Sequence, residues 1–315
     1  MTDVLILGQA EVAALLDLDE LLPALADALR ALSAGRASVP PRVGASAAQG
    51  LLAAMPVALA GVALATKLVS VFPANHERGL PSHQALIAVF DEETGTLQTL
   101  MDGTHITAVR TGAAAAVAAD ALARPDASVL AILGAGVQGR SHLEAFTRIR
   151  GLSDIRVASR TAAHADALAA AHPAARSVAT FEAAVRGADI VCCCTDARAP
   201  ILDAAWLAPG THVSSVGGTF GPELDAATVA AAQVFAEWRG AAEHAPPAGA
   251  HELQGLDPEA VTEIGEVLAG TRPGRADAAA LTVYKSTGHA VEDAAAAALV
   301  DRRARASGAG HTVVL

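Results

Sequence analysis

The stretch VLAILGAGVQGRSHLEAF, residues 129–146, decides the fold. Its first five residues form an apolar run of strand length, and a segment with helical character follows the glycines. Gly134, Gly136 and Gly139 stand between the two at G-x-G-x-x-G spacing, with Val137 and Gln138 inside the motif. In that context the unpaired N–H groups and positive dipole end of the helix face a pyrophosphate, so the stretch predicts a dinucleotide-binding site. A bare match means little in a chain with 27 glycines; the preceding strand and following helix give it weight. The second strand of such a unit ends about 20 residues past the motif, where it meets the adenosine ribose. The residues there read VASRT. An acid would accept the 2′-hydroxyl of NAD, whereas Ser159, Arg160 and Thr161 suit a 2′-phosphate, which favours NADP(H) over NAD(H).

Downstream, ASVLAIL, SHLEAFTRI, DIRVASR, TAAHADALAAAH, GADIVCCCT, THVSSVGG and ATVAAAQVFAE alternate strand and helix character, the pattern of a parallel sheet wrapped by helices. Upstream, apolar positions at helical spacing over residues 11–35 end at a Pro-rich break. Short apolar or β-branched runs then occupy residues 50–100, with DEETGT as a hairpin turn, which predicts an α+β unit with a largely antiparallel sheet. The helix TAVRTGAAAAVAADAL leads into the glycine stretch, and a long helix, HAVEDAAAAALVDRRARA, returns onto the first unit.

The chain of 315 residues is 52% hydrophobic and 17% charged, enough for two packed domains. A formal charge of −11 without a Lys/Arg run argues against a nucleic-acid or anionic-membrane partner. The amino-terminal apolar run is broken by Asp17, Asp19 and Glu20, and the alanine-rich stretches have charged neighbours, so a cytoplasmic protein is expected. Cys192, Cys193 and Cys194 are consecutive in an apolar strand whose alternation sends neighbours to opposite faces. They read as buried packing residues, and no metal site is expected.

Three cations stand out in the first third: Arg42 in VPPRVG, Lys67 in LATKLVSV and Arg110 in THITAVRTG. Lys67 interrupts an apolar strand, and a buried ammonium needs a counter-ion. A bound carboxylate would supply one.

RGLPSHQALIAVFDEETGTLQTLMDGTHITAVRTGAAAAVAADALAR, then LGAGVQGRSHLEAF, then LTVYKSTGHAVEDAAAAAL resemble the ornithine cyclodeaminase and mu-crystallin family over essentially the whole chain. The resemblance implies a Rossmann NAD(P)-binding domain, residues 118–287, inserted into an α+β substrate and dimerisation domain, residues 1–117 with 288–315, and a homodimer. It implies that Arg42, Lys67 and Arg110 hold the carboxylate of a small amino or imino acid. Lys67 and Arg110 are then the catalytic candidates, Arg110 lies against the cofactor too, and a bound water or His83 could share the proton transfer. It also places Ser82, Thr195, Val216, Gly217 and Ser286 near the cofactor.

Departures from the cyclodeaminase pattern narrow the activity. Where those enzymes carry an Asp as proton carrier after a Gly-Gly, this chain has Thr219, whose hydroxyl is a very poor acid or base at neutral pH. Where they carry an acid two residues before Met-Pro, it has Ala53. Together with SRT at the ribose position, these point to an NADPH-dependent reductase of cyclic ketimines or an amino-acid dehydrogenase. The alternatives are an ornithine cyclodeaminase using NAD and an NADPH-binding protein without turnover.

Overall fold

Alternate residues of the strand Ala63–Val71 are buried, and Lys67 is in phase with them. Period-2 alternation therefore puts its side chain on the covered face of the sheet and Leu68 on the other. In the computed structural model, which describes residues 2–315 apart from the His76 side chain, this strand belongs to the first of two compact units. That unit takes the chain up to Arg110 together with His289–Leu315; the second is Thr111–Gly288.

The first unit contains β1 (Asp3–Leu7), α1 (Gln9–Leu15), α2 (Leu18–Ser33), β2 (Ala37–Ser38), β3 (Val43–Ala47), β4 (Gly50–Leu59), β5 (Ala63–Val71), β6 (His83–Phe90) and β7 (Leu97–Asp102). Helix α3 (Gly103–Leu122) begins there and ends in the second unit. The second unit continues with β8 (Val129–Leu133), α4 (Val137–Ile149), β9 (Asp154–Ala158), α5 (Ala162–Ala169), β10 (Ala175–Ser177), α6 (Phe181–Val185), β11 (Ile190–Cys193), β12 (His212–Ser215), α7 (Ala226–Ala231), β13 (Gln233–Ala236), α8 (Gly240–Glu243), β14 (Val261–Glu263), α9 (Ile264–Leu268) and β15 (Thr282–Lys285). The chain then returns to the first unit as α10 (Ala290–Ser307) and β16 (His311–Val314).

The first sheet runs β16-β1-β7-β6-β5-β4-β2, with β3 also on β4. Its pairs are antiparallel except β1 with β7. Helix α10 packs over β4, β5 and β6 and against α2. Alanine at 294–297 lets its backbone approach the sheet. The second sheet, β10-β9-β8-β11-β12-β15-β13-β14, is parallel throughout. Its central strands are buried, as a sheet covered on both faces requires. In α3 the alanines 113–116 are buried on every side; a helix apolar all round is an interior helix.

Several elements differ from the sequence expectation. The helical stretch 11–35 is two helices, divided because the Asp17 carboxylate accepts hydrogen bonds from Asp19 and Glu20 N–H and starts α2 afresh. ATVAAAQVFAE holds both α7 and β13. The strands β1 and β16 pair the two ends of the chain, a link that local pattern does not signal. The division between the units falls at Arg110, inside α3, seven residues before the expected 117 (117 − 110). Among the described residues no helix is long and apolar enough to cross a membrane.

Candidate functional site

In the second unit β8 lies between β9 and β11. The chain moves outward from β8 in one direction through β9 and β10, then returns to build β11 and β12 on the other side. In such sheets the ligand crevice opens at the carboxyl ends of the two strands where the order reverses. Gly134 follows β8 with φ +107°, and a Cβ there would lie 2.5 Å from the carbonyl oxygen of Cys194. A Cβ at Gly139 would meet the Gly134 carbonyl at 2.1 Å, so that glycine lets helix and strand approach. Gly136 is different: a Cβ there meets nothing within 4 Å. It is the N-cap of α4 and offers no side-chain cap to the first-turn N–H groups. Val137 beside it is 69% exposed. These features fit a dinucleotide pyrophosphate laid on the open N-terminus of α4.

Ser159, Arg160 and Thr161 follow the end of β9, and Thr161 is the N-cap of α5. Arg160 is exposed and lies 3.3 Å from the Asp196 carboxylate. Thr195 follows β11 and is tied to the end of β12 through Glu223, which the sequence reading missed. One Glu223 oxygen accepts from Thr195 N–H at 2.7 Å and from its hydroxyl at 2.6 Å. The other accepts from the Ser215 hydroxyl and Gly217 N–H, both at 2.8 Å. Lys285 lies beneath, donating to Ser215 Oγ at 2.9 Å, the Gly217 carbonyl at 2.6 Å and Glu252 at 3.1 Å. Thr195, Val216 and Gly217 are thus assembled beside Gly134 by a buried, hydrogen-bonded network. Ser286 donates to Glu237 at 2.5 Å, and the same carboxylate accepts from Thr287 and Gly288 N–H. The signal for Lys285 was present, since it also ends an apolar strand.

Cys192, Cys193 and Cys194 are buried, and burial raises each thiol well above its usual range, so they are unreactive packing residues.

In the first unit Lys67, Arg110 and two acids form a second buried cluster. Lys67 Nζ lies 2.6 Å from Asp293, whose other oxygen is 3.0 Å from Arg110 Nε; Arg110 Nη1 is 2.7 Å from Glu292. The counter-ion expected from a bound carboxylate is therefore already supplied by Asp293. Both acids sit in the first turn of α10, within AVED, where acids ordinarily complement the helix dipole. Burial pulls the Lys67 ammonium down to about 8 against the opposing pull of Asp293, with Arg110 and Arg42 adding to the fall. Burial pushes the Asp293 carboxyl up, but Arg110 and Lys67 outweigh it and hold it below the usual range. His289, at the N-cap of α10, is brought to about 3 by burial and by Arg42, so it is neutral. Arg42 is half-buried and acts on both Lys67 and His289. Of the three cations expected together, Lys67 and Arg110 are joined through Asp293, and Arg42 lies within electrostatic reach of Lys67.

Ser82 and His83 stand elsewhere in this unit, at the start of β6, with Ser82 Oγ 3.1 Å from His83 Nδ1. His83 pairs with Val71, whereas Lys67 pairs with Ile87. Four residues of strand span about 13 Å, too far for direct proton transfer between them.

Residues 2–308 match the family model described as the ornithine cyclodeaminase/mu-crystallin family. The chain belongs to that family. The ketimine reductase mu-crystallin of Mus musculus is 39% identical over 256 residues, 80% of each chain. A Δ1-pyrroline-2-carboxylate reductase from Thermococcus litoralis, solved with NADH and L-proline, superposes with a TM-score of 0.91 at 32% identity, covering 98% of this chain and 100% of that one. An archaeal alanine dehydrogenase dimer with bound NAD does so with a TM-score of 0.91 at 31% identity over the whole of both chains. Whole-chain coverage means that both units, not the Rossmann portion alone, carry the family likeness.

The glycines separate ligand contact from folding. Gly136→Ala is expected to leave the thermal transition in place and weaken binding of a nicotinamide dinucleotide about tenfold or more, read by fluorescence titration, because its Cβ enters open space over the helix end. Gly139→Ala is expected to lower the transition itself. Equal loss of stability in both variants would refute the assignment.

Proposed function

We propose that the protein reduces a small cyclic α-imino carboxylate, or the imine of a small 2-oxo acid with ammonia, using NADPH. The observation that carries this is the contrast between its two buried lysines. Lys285 has an acceptor for each of its three protons, whereas Asp293 is the one side chain paired with Lys67 Nζ among the described residues. Lys67 therefore retains N–H groups for a ligand, beside Arg110 and Arg42.

The substrate carboxylate is held by Arg42, Lys67 and Arg110, which orients the C=N bond. Reduced nicotinamide, when bound, supplies the hydride to carbon. The proton goes from Lys67 Nζ to nitrogen, leaving a neutral lysine that is reprotonated from solvent. A group titrating near 8 is suited to that exchange. Glycines 134, 136 and 139, with Val137, Gln138, Thr195, Val216 and Gly217, form the cofactor cradle in this proposal, and Ser286 completes it. The relatives' activities on ketimines, pyrroline-2-carboxylate and alanine support the substrate class. A cytoplasmic setting belongs to the same proposal.

The cyclodeaminase reading needs a proton carrier at Thr219. Of the acids nearby, Glu252 is tied through one oxygen to Lys285 and to Glu223 N–H, and Glu223 has both its oxygens spent on Thr195, Ser215 and Gly217. It cannot take over without dismantling the strand ends it joins.

NADPH preference rests on Arg160. Its exposed pairing with Asp196 is worth about 0–1 kcal/mol, little enough for a phosphate to displace it. Arg160→Ala is expected to weaken NADPH by about 1.5–3 kcal/mol while NADH affinity stays nearly unchanged; equal weakening of both sinks the assignment.

Homodimerisation is proposed through the uncovered sheet face. Val43, Leu68 and Leu86 are exposed and, with Ala54, occupy one cross-strand row through β3, β4, β5 and β6, and exposed Leu52 lies beside it. Such a row buries well against a second copy. Light scattering should give a dimer at micromolar concentration and a monomer for Leu68→Glu with Leu86→Glu; a monomeric wild type contradicts this.

The decisive assay follows NADPH oxidation with five- and six-membered cyclic imino acids and with pyruvate plus ammonia, alongside ornithine with NAD. Lys67→Met is expected to keep its fold, because Asp293 remains paired with Arg110. Lys67 titrates lower in the folded state than in the unfolded chain, so below pH 8 its charge opposes folding, and the substitution removes that cost. Imine reduction should fall by orders of magnitude with NADPH affinity unchanged. Near-normal kcat/KM in Lys67→Met, or NADPH binding without turnover of any imine by the wild type, overturns the proposal.

A further inference from the structure

We propose that Asp293 is a positioning residue whose two carboxylate oxygens hold the Lys67 ammonium and the Arg110 guanidinium side by side and keep Lys67 charged for an imino-acid substrate. This rests on the reductase function proposed above and adds to it a residue that touches neither substrate nor cofactor.

The geometry makes Asp293 a bridge. One oxygen takes Lys67 Nζ at 2.6 Å and the other takes Arg110 Nε at 3.0 Å. A carboxylate is flat and its oxygens are a fixed distance apart, so binding one cation with each oxygen sets the spacing between the two cations. That spacing decides whether a substrate carboxylate can span both. Glu292 is equally buried and comes from the same turn, yet the structure gives it Arg110 and not Lys67.

The charges facing Lys67 come from every side. Helix α10 presents Asp293, with Glu292 beyond Arg110 and neutral His289 at the N-cap; α3 presents Arg110; the segment before β3 presents Arg42. The cross-strand neighbours on β4 and β6, Met55 and Ile87, carry no charge. Burial, Arg110 and Arg42 favour the neutral amine of Lys67, and Asp293 is the group that favours the ammonium most. Asp293 is itself held ionised, so it acts as a fixed charge and not as a proton store.

The chain offers a clean readout because Lys67 and Lys285 are its only lysines. Protein grown with 13C-labelled lysine gives two Cε signals, assigned with Lys67→Met and titrated against pH by NMR. Asp293→Asn is expected to lower the Lys67 midpoint by about one to three pH units, the effect of removing an adjacent opposite charge. Glu292→Gln should move it by less than half as much. In steady-state assays with Δ1-pyrroline-2-carboxylate, the alkaline limb of kcat/KM should shift down in step in Asp293→Asn and KM should rise about tenfold or more, a cost of about 1.4 kcal/mol. NADPH affinity should hold. Asp293→Glu keeps the charge and moves its position, so the Lys67 midpoint should return towards wild type while KM stays raised; this variant also carries the test if Asp293→Asn fails to fold. A purely structural tie between α10 and the sheet predicts instead that Asp293→Asn and Glu292→Gln behave alike, and that result overturns the inference. A wild type that reduces no imino acid sinks the proposed function, while the Lys67 titration still decides whether Asp293 governs the ammonium.

Discussion

The Asp293 carboxylate is the point at which three distant parts of the chain meet. It joins α10 to β5 across 226 positions (293 − 67) and to α3 across 183 positions. The first unit is therefore completed by a segment that follows the whole of the second unit in the chain. Burying these charges has a cost that apolar residues of similar volume would avoid, and a buried ion pair is on balance weak evidence for stability. Its presence on the covered face of a sheet otherwise lined mainly by Ala, Val, Leu, Ile and Met is better explained by what the charges do than by what they stabilise.

Sequence alone disclosed the constraints that are local. The three glycines lie within six residues and between a strand and a helix, so their spacing could be read directly. Lys67 was visible because it breaks an apolar run, and its place on the covered face follows from strand alternation. The counter-ions were not visible. Glu292 and Asp293 sit in the first turn of a helix, where acids are ordinary, and nothing in the alanine-rich sequence around them distinguishes a buried acid from a solvated one. Glu223 was hidden for a related reason: it lies in an irregular segment after β12, where an acid reads as surface, although the structure buries it completely. The pairing of β1 with β16 was out of reach too, because it depends on contact between residues at opposite ends of the chain.

Within each class of residue the structure separates fold from ligand. Gly134 and Gly139 are required by protein atoms that a Cβ would strike, whereas Gly136 faces open space at the N-cap of α4, so no protein atom requires a glycine there. The two lysines divide in the same way. Lys285 is as buried as Lys67, but its protons are consumed by Ser215, Gly217 and Glu252, and it acts as a pin beneath the strand ends that present Thr195 and Gly217. Lys67 is held at one point by one carboxylate. A group that is anchored but not saturated can form new bonds without first breaking its own, whereas a saturated one must give up hydrogen bonds whose loss costs as much as the new contact gains. Burial by itself therefore does not distinguish the two lysines; the number of hydrogen bonds each has already made does.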